Sequence, residues 1–525
     1  MDAHRRAAST SVDVVPIGSA FSCFDYVQDH FDRHNAIHRC FSLGRSFDMR
    51  MVTIEDIAAQ GFVEEENVEI KAYYPDHQMT GLKRLAFWRK PFASAAAIPE
   101  LGNDDLIGYA IAKKDHVPSC GTHRWHIYEA GFRKYPHPHN CVPGLKSITV
   151  RVSGKEFDLP AVVYCQQNGL NKACAHVAVR SLLSRHVKAG DVSYRRINEI
   201  AAKSCQGTYS PKDGLDVPQI RAIFRETNIA FRDIDYVEEE KTDKAIRDTH
   251  PFQKFLYSGI ESGCGGLLGF RLAGPKAQLD RKHIIPFFGH TFNKDTWVPD
   301  ADIAYFNVGG GVGYIPSESW TSSFLGHDDN FGPNFCVPRL YVRPEQADYV
   351  VELLKDAVQY SGAHAEAVAI PFLYSLYPTL ASFAPKEKWL RRMATWAHPK
   401  MQKAILRAVA IARDEYLRDL ASVRDWDGHG ERADVVEVLQ KLLPEILWVV
   451  EVSIPQLFPA NERKVGDVIL NPLITFDENN PVDFKLLLLV RVPGHYFFVE
   501  SVAGDTPTFV HIPSQFTSHI PLLKA

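Results

Sequence analysis

The 525 residues carry 59 Lys and Arg against 63 Asp and Glu, a formal net charge of −4, with 45% hydrophobic and 23% charged residues. That balance excludes a strongly basic nucleic-acid binder, a polybasic membrane-surface protein and an acidic disordered chain, so neither nucleic acid nor membrane is an expected partner. At roughly 150 residues per unit the length predicts three or four domains and leaves the oligomeric state open.

The opening MDAHRRAASTSVDVV has two arginines but no apolar core, and reads as a flexible tail rather than a secretory signal. Nine cysteines, an odd number scattered along a large chain, read as reduced thiols and point to the cytoplasm. From about residue 19 to 160, VEIKAYY (68–74), LIGYAIAKK (106–114) and SITVRVSG (147–154) alternate apolar and polar residues as strands do. Residues 1–157 are therefore expected to form an α+β accessory domain. CGTHRWH (120–126) and HPHNC (137–141) gather histidines and cysteines without a zinc-ligand spacing, and read as polar loops.

The texture changes near Asp158. Residues 162–165 predict a short strand, 173–187 a helix, 193–205 a second helix, and 216–227 a third with Asp216 as its cap and Pro218 in its first turn. CGGLLGFRL (264–272), KHIIPFFGH (282–290) and DTWVPDADIAYF (295–306) predict strands. Helices first and strands second indicate an α+β domain over 158–344. GHDDNFG (326–332) lacks the ligand alternation of a calcium loop and reads as a capped turn. GGGVG (309–313) lacks the Lys-Ser/Thr of a phosphate loop.

Residues 346–360 and 401–423 show three-and-four spacing, so 345–430 is expected to be helical. Within it, 367–384 is uncharged but holds Pro371 and Pro378, and reads as broken buried helix rather than a membrane span. Residues 431–525 are expected to be β-rich, with strands at 448–454, 484–492 and 495–502 and a hairpin turn at Pro493-Gly494.

The segment YCQQNGLNKACAHVAVRSLLSRH begins at Tyr164 and carries the chemistry. Cys174 stands at the start of the apolar-periodic run, with Asn171 as a candidate cap, where a helix N-terminus favours the thiolate. Cys165 lies in the preceding strand and reads as packing. His176 is two residues after Cys174, a spacing that points the two side chains away from each other. Of 22 histidines, His283 is the one at the entry of an apolar strand, a rigid position for a base. Asp300 follows by 17 residues, across a turn, as the candidate to orient the ring, with Asn293 and Asp295 as competitors nearer the turn. Gln166 and Gln167 crowd the loop that would supply an oxyanion donor, eight and seven residues before Cys174, with Asn168 at six.

This order of glutamine, cysteine-headed helix, histidine-led strand and acidic residue resembles the papain-like cysteine peptidase superfamily. CAHVAVRSLL resembles the josephin deubiquitinase box, and GLDVPQIRAIFRET, SGCGGLLGFRL, HIIPFFGH and WVPDA resemble the double-glycine leader peptidases, together covering about residues 160–306. The resemblance implies a papain-like core, a helix bundle packed on an antiparallel sheet, with no cofactor and no metal. It further implies Cys174 as nucleophile, His283 as base and acid, Asp300 as orienter and Gln167 or Gln166 in the oxyanion hole, acting on a protein or peptide substrate. A transglutaminase-like acyl transferase using the same residues, or a non-catalytic interaction protein of the same fold, are the alternatives.

Overall fold

The computed structural model describes residues 3–32, 34–135, 139–187, 190–205, 207–272, 281–293, 306–307, 313–383, 387–396, 403–475, 484–503 and 506–524. The architecture is mixed α+β, built on three large sheets. The first sheet is an antiparallel meander of Ser9–Pro16, Met51–Ile57, Gln78–Trp88, Leu106–Val117 and Thr122–Phe132. Met51–Ile57 and Leu106–Val117 are buried on both faces along most of their length, which explains their long apolar runs, whereas the edge strand Ser9–Pro16 is largely open. Leu85 and Phe87 face the helices Cys23–Phe31 and Asn35–Ser46, whereas Ala86 and Trp88 face the core that holds the Cys174 helix.

The second sheet runs in the order Gly332–Pro338, Thr321–Asp328, Arg281–Phe292, Gly266–Leu272, Ala347–Leu353, Phe231–Asp235, with Asn140–Cys141 added to Arg281–Phe292. The helices Cys174–His186, Tyr194–Ser204 and Val217–Glu226 fill the space between this sheet and the first. Val177, Ala178, Leu182 and Leu183 share one core with Tyr109, Tyr128, Leu267, Ile284 and Val351. That core extends from Ala7 to Leu353, so residues on both sides of 157 and of 344 pack together. The third sheet includes Ile405–Ala412, Ile446–Ser453, Gly466–Leu470, Leu487–Val492, His495–Ala503 and Thr506–Pro513, covered on one side by the helix Gly362–Phe383.

Several expectations are corrected. The opening residues are no free tail: His4 and Arg5 are buried, Ala7 is in the core, and Ser9–Pro16 is an edge strand. Residues 68–73 belong to the helix Phe62–Tyr73, and Tyr74 follows as its cap. Val63, Glu66 and Ile70 face inward at helical spacing, and Glu64 and Glu65 complement the positive end of the helix. Residues 346–360 hold the strand Ala347–Leu353, and 401–423 divide into the strand Ile405–Ala412 and the helix Arg413–Ser422. Both strands are buried on two faces, and such runs fit a helix period as well as a strand period. Residues 122–126 are strand rather than loop.

The helix Gly362–Phe383 continues through Pro371 and Pro378, and among the described residues no helix is long and apolar enough to cross a membrane. Of the strand expected at 295–306, only Phe306 lies within the described residues.

Candidate active site

The segment from Asn168 to Lys172 is fixed by one buried side chain. Asn168 Oδ1 accepts the N–H groups of Leu170, Asn171 and Lys172 at 2.9, 3.2 and 3.3 Å, and its amide donates to Asn171 Oδ1 at 2.8 Å. Gly169 occupies the left-handed region, φ 67°, that this tight loop requires. Asn171 is therefore spent on the loop, and its own amide donates to Glu69 at 2.6 Å. The cap expected of Asn171 is replaced: the helix begins after Ala173, whose N–H donates to His176 Nδ1 at 3.2 Å. The far ring nitrogen of His176 meets the Tyr209 hydroxyl at 2.8 Å, and burial pushes this imidazole down to about 3.

Lys172, just before the helix, is buried against the rings of Tyr128 and Tyr194 and donates to Glu66 at 2.6 Å. Burial holds its ammonium below the usual range, with Glu66 opposing. Further along, Arg180 joins Asp191 and Glu129, and Ser181 donates to the Val163 carbonyl at 2.6 Å. Polar anchors at both ends and in the middle thus hold a helix buried over Ala175–Arg185, and Cys174, half-buried, is its first residue. The Cys174 N–H, at the first helical position, has no acceptor within the helix. Cys165 is buried against Arg180, and burial pushes its thiol up, as for a packing residue.

His283 lies on Arg281–Phe292 and is 9% exposed. The Cys174 thiol neighbours the ring and acts on its protonation. Nε2 donates to Asp328 Oδ2 at 3.1 Å, with Asp329 Oδ1 at 3.7 Å. Burial alone would push the imidazole down. The hydrogen bond to Asp328, the neighbouring Cys174 thiol and the charges of Asp329 and Asp328 overcome that, raising it to about 10.

Asp328 is positioned by the turn it caps, since its other oxygen accepts the N–H groups of Asn330 and Phe331 at 2.8 and 3.2 Å. Burial works to raise its carboxyl, but His283 and those two N–H groups hold it below the usual range. Asp329 is pushed up to about 6 by burial and by the charge of Asp328, against His283.

Asp300 and Asp295 lie outside the described residues. Asn293 lies within them, at the far end of the His283 strand. The carboxylate that meets His283 is Asp328, from the strand Thr321–Asp328 that pairs with the His283 strand. The reasoning from sequence took the next strand in the chain as the neighbouring one. The available signal was the Asp-Asp pair closing SSFLGHDD, read there only as a turn cap.

Gln166 returns a main-chain hydrogen bond to Ile127 and also accepts the Ile127 N–H on Oε1 at 2.9 Å, which orients its amide N–H groups. Gln166, Gln167 and Asp329 line a polar cavity of about 590 Å³, with Asp32, His34 and Arg124 opposite. Asp329 also borders the small void beside Cys174, so it joins thiol and cavity.

His283, Asp328 and Asp329 are close enough to share a metal ion. Asp328 already uses both oxygens in hydrogen bonds, Oδ2 to His283 and Oδ1 to the Asn330 and Phe331 N–H groups, which a metal ion would have to displace.

No family model, curated protein or solved structure matches the chain.

The chemistry of this arrangement follows from its parts. A thiol at a helix start can pass its proton to a neighbouring neutral imidazole whose resulting cation the carboxylates stabilise, and the thiolate can then attack a carbonyl.

Proposed function

We propose that the chain is a papain-like cysteine peptidase or isopeptidase, with Cys174 as nucleophile, His283 as acid and base, and Asp328 in the orienting role expected of Asp300. The observation that carries this reading is a His283 ring held by the Asp328 carboxylate at 3.1 Å, with the Cys174 thiol beside it at a helix start. The fold reading narrows with it to a papain-like core: a buried helix headed by the nucleophile, packed on an antiparallel sheet that carries the base.

The Cys174 thiolate attacks the substrate carbonyl. The Cys174 N–H and the anchored Gln166 amide hold the resulting oxyanion. His283 protonates the leaving amine, then deprotonates the water that cleaves the thioester. Asp329 and the polar cavity lie on the substrate side. A cavity lined by Asp32, His34, Arg124 and Gln167 suits a polar peptide segment rather than an apolar ligand.

The test is competitive alkylation of the full chain with iodoacetamide at pH 6, alongside hydrolysis of fluorogenic peptides ending in Gly-Gly. Cys174 should react at least tenfold faster than the exposed Cys120, and Cys174→Ala should abolish hydrolysis. Equal labelling of the two cysteines, with hydrolysis unchanged by Cys174→Ala, refutes the reading. Transfer of the acyl group to an added amine in preference to water would redirect it to an acyl transferase.

A further inference from the structure

The strand that carries His283 carries a second buried histidine, His290. Its Nε2 donates to Glu261 Oε1 at 2.6 Å, and the other oxygen of Glu261 accepts from Arg407 Nε at 3.1 Å. Cys141 sits on Asn140–Cys141, directly opposite His290 in the sheet. Its sulfur lies within 4.8 Å of a ring nitrogen of His290 and of the Glu261 carboxylate. The second ring nitrogen, Nδ1, is buried without a conventional hydrogen-bond partner, which leaves it to the half-buried thiol. Burial alone would push this imidazole down. The neighbouring Cys141 thiol, and then the hydrogen bond and charge of Glu261, raise it to about 10.

These groups form the floor of a cavity of about 460 Å³ whose lining includes Lys134, Arg407, Arg463 and Lys524, against the carboxylates of Glu261 and Glu462. Thiol, imidazole and carboxylate form one compact cluster, with the Arg407 guanidinium on the far oxygen of the carboxylate. The three potential ligand atoms of Cys141, His290 and Glu261 are also close enough for zinc. Zinc would require Glu261 to give up its bonds to His290 or Arg407, and would place the ion beside a guanidinium.

We propose that Cys141, His290 and Glu261 form a second thiol site, independent of Cys174, whose cationic cavity takes a small anionic acyl donor of the acyl phosphate kind. The thiol proton rests on His290, and the sulfur attacks the acyl carbon. A C–S bond forms as the bond to the leaving oxygen breaks, and phosphate departs with the electron pair and the proton from His290. Water deprotonated by His290 then cleaves the thioester, releasing a carboxylate and restoring the thiol.

The experiment uses the full chain carrying Cys174→Ala, so that the first site contributes nothing. Alkylation of Cys141 and of the exposed reference Cys120 is followed by peptide mass mapping with iodoacetate and with iodoacetamide. An ordinary thiol below its pKa gains about tenfold in rate per pH unit, whereas a thiolate already paired with imidazolium stays nearly flat from pH 6 to 8. The expected result is a flat profile at Cys141, at least tenfold faster than Cys120 at pH 6, with a preference for iodoacetate that Cys120 lacks.

His290→Gln should bring Cys141 down to the rate of Cys120. Because that buried substitution can also unfold the chain, the pH profile with His290 intact stands as evidence by itself. Acetyl phosphate should acetylate Cys141 or release phosphate faster than in the Cys141→Ser form. A Cys141 profile that parallels Cys120, the absence of both acetyl phosphate effects, or one zinc per chain lost on Cys141→Ser would each overturn the proposal.

Discussion

Asp328→Asn tests the proposed relay at its most exposed assumption, that a carboxylate sets the protonation of His283. The substitution keeps the shape of the side chain. The amide oxygen can still accept the N–H groups of Asn330 and Phe331, now 2.8 and 3.2 Å from Asp328 Oδ1, so the turn survives. What is lost is a charge-assisted hydrogen bond of 3.1 Å to the ring. Such a bond contributes about 1.5–3 kcal/mol, which at about 1.4 kcal/mol per pKa unit corresponds to a shift of about one to two units.

Asp329, at 3.7 Å, remains to hold part of the charge. The imidazole should therefore fall from about 10 toward the range of about 8–9. Two assays read this shift. The alkaline limb of kcat/KM for a fluorogenic peptide should move down by that amount, with a loss of about ten- to hundredfold in kcat/KM at pH 7. The alkaline inflection in the rate of Cys174 alkylation should move with it, independently of turnover. An Asp328→Asn protein that folds normally and keeps both inflections where the parent has them would refute the assignment of Asp328.

Asp329→Asn removes a carboxyl titrating at about 6 beside the ring, so an inflection near that pH in kcat/KM should flatten while circular dichroism stays unchanged. Asn168→Ala leaves three main-chain N–H groups without their acceptor. It should destabilise the chain by about 1–3 kcal/mol in urea titration and lower kcat by displacing the start of the Cys174 helix.

Glu352 is fully buried, with Oε1 accepting from Ser258 and from the Gly362 N–H, and burial raises its carboxyl from 4.5 to about 8. A folded pKa above the unfolded one means stabilisation that is complete below about pH 4.5 and lost as pH rises through about 8. Glu352→Gln should therefore gain in unfolding free energy over the parent as pH goes from 5 to 9, by at most about 5 kcal/mol in urea titration. A difference independent of pH would show that Glu352 is ionised in the folded state.

The elements around the nucleophile were legible because their signals are local. Asp216 caps its helix with Gln219, accepting the Gln219 N–H at 2.8 Å, and Ile220, Ile223 and Phe224 share the buried face, as their spacing announces. Cys174 heads its helix, and His283 lies near the start of its strand, for the same reason. Elements such as Ala347–Leu353 failed because they are buried on both faces, and period carries no information where no face is wet.

Asp328 was absent from the sequence candidates for a different reason. Strand neighbours are set by three-dimensional pairing, and Asp328 reaches His283 across 45 positions of chain that the turn-counting argument did not cross. The loop before Cys174 was half legible: its residues were recognised as polar, but which asparagine organises it depends on Asn168 being buried.

The buried opening residues bear on the order in which the molecule can be made. Arg5 donates to Asp191 across 186 positions and to Glu129 across 124, and Arg180 of the Cys174 helix shares both carboxylates. Arg5 thus leaves the ribosome long before both of its partners, and the helix that presents Cys174 is not fully pinned until they meet. Until Asp191 emerges, the nascent chain holds an unpaired basic segment and an unanchored cysteine. A reactive thiol should consequently appear late in synthesis, together with the closing of the first sheet.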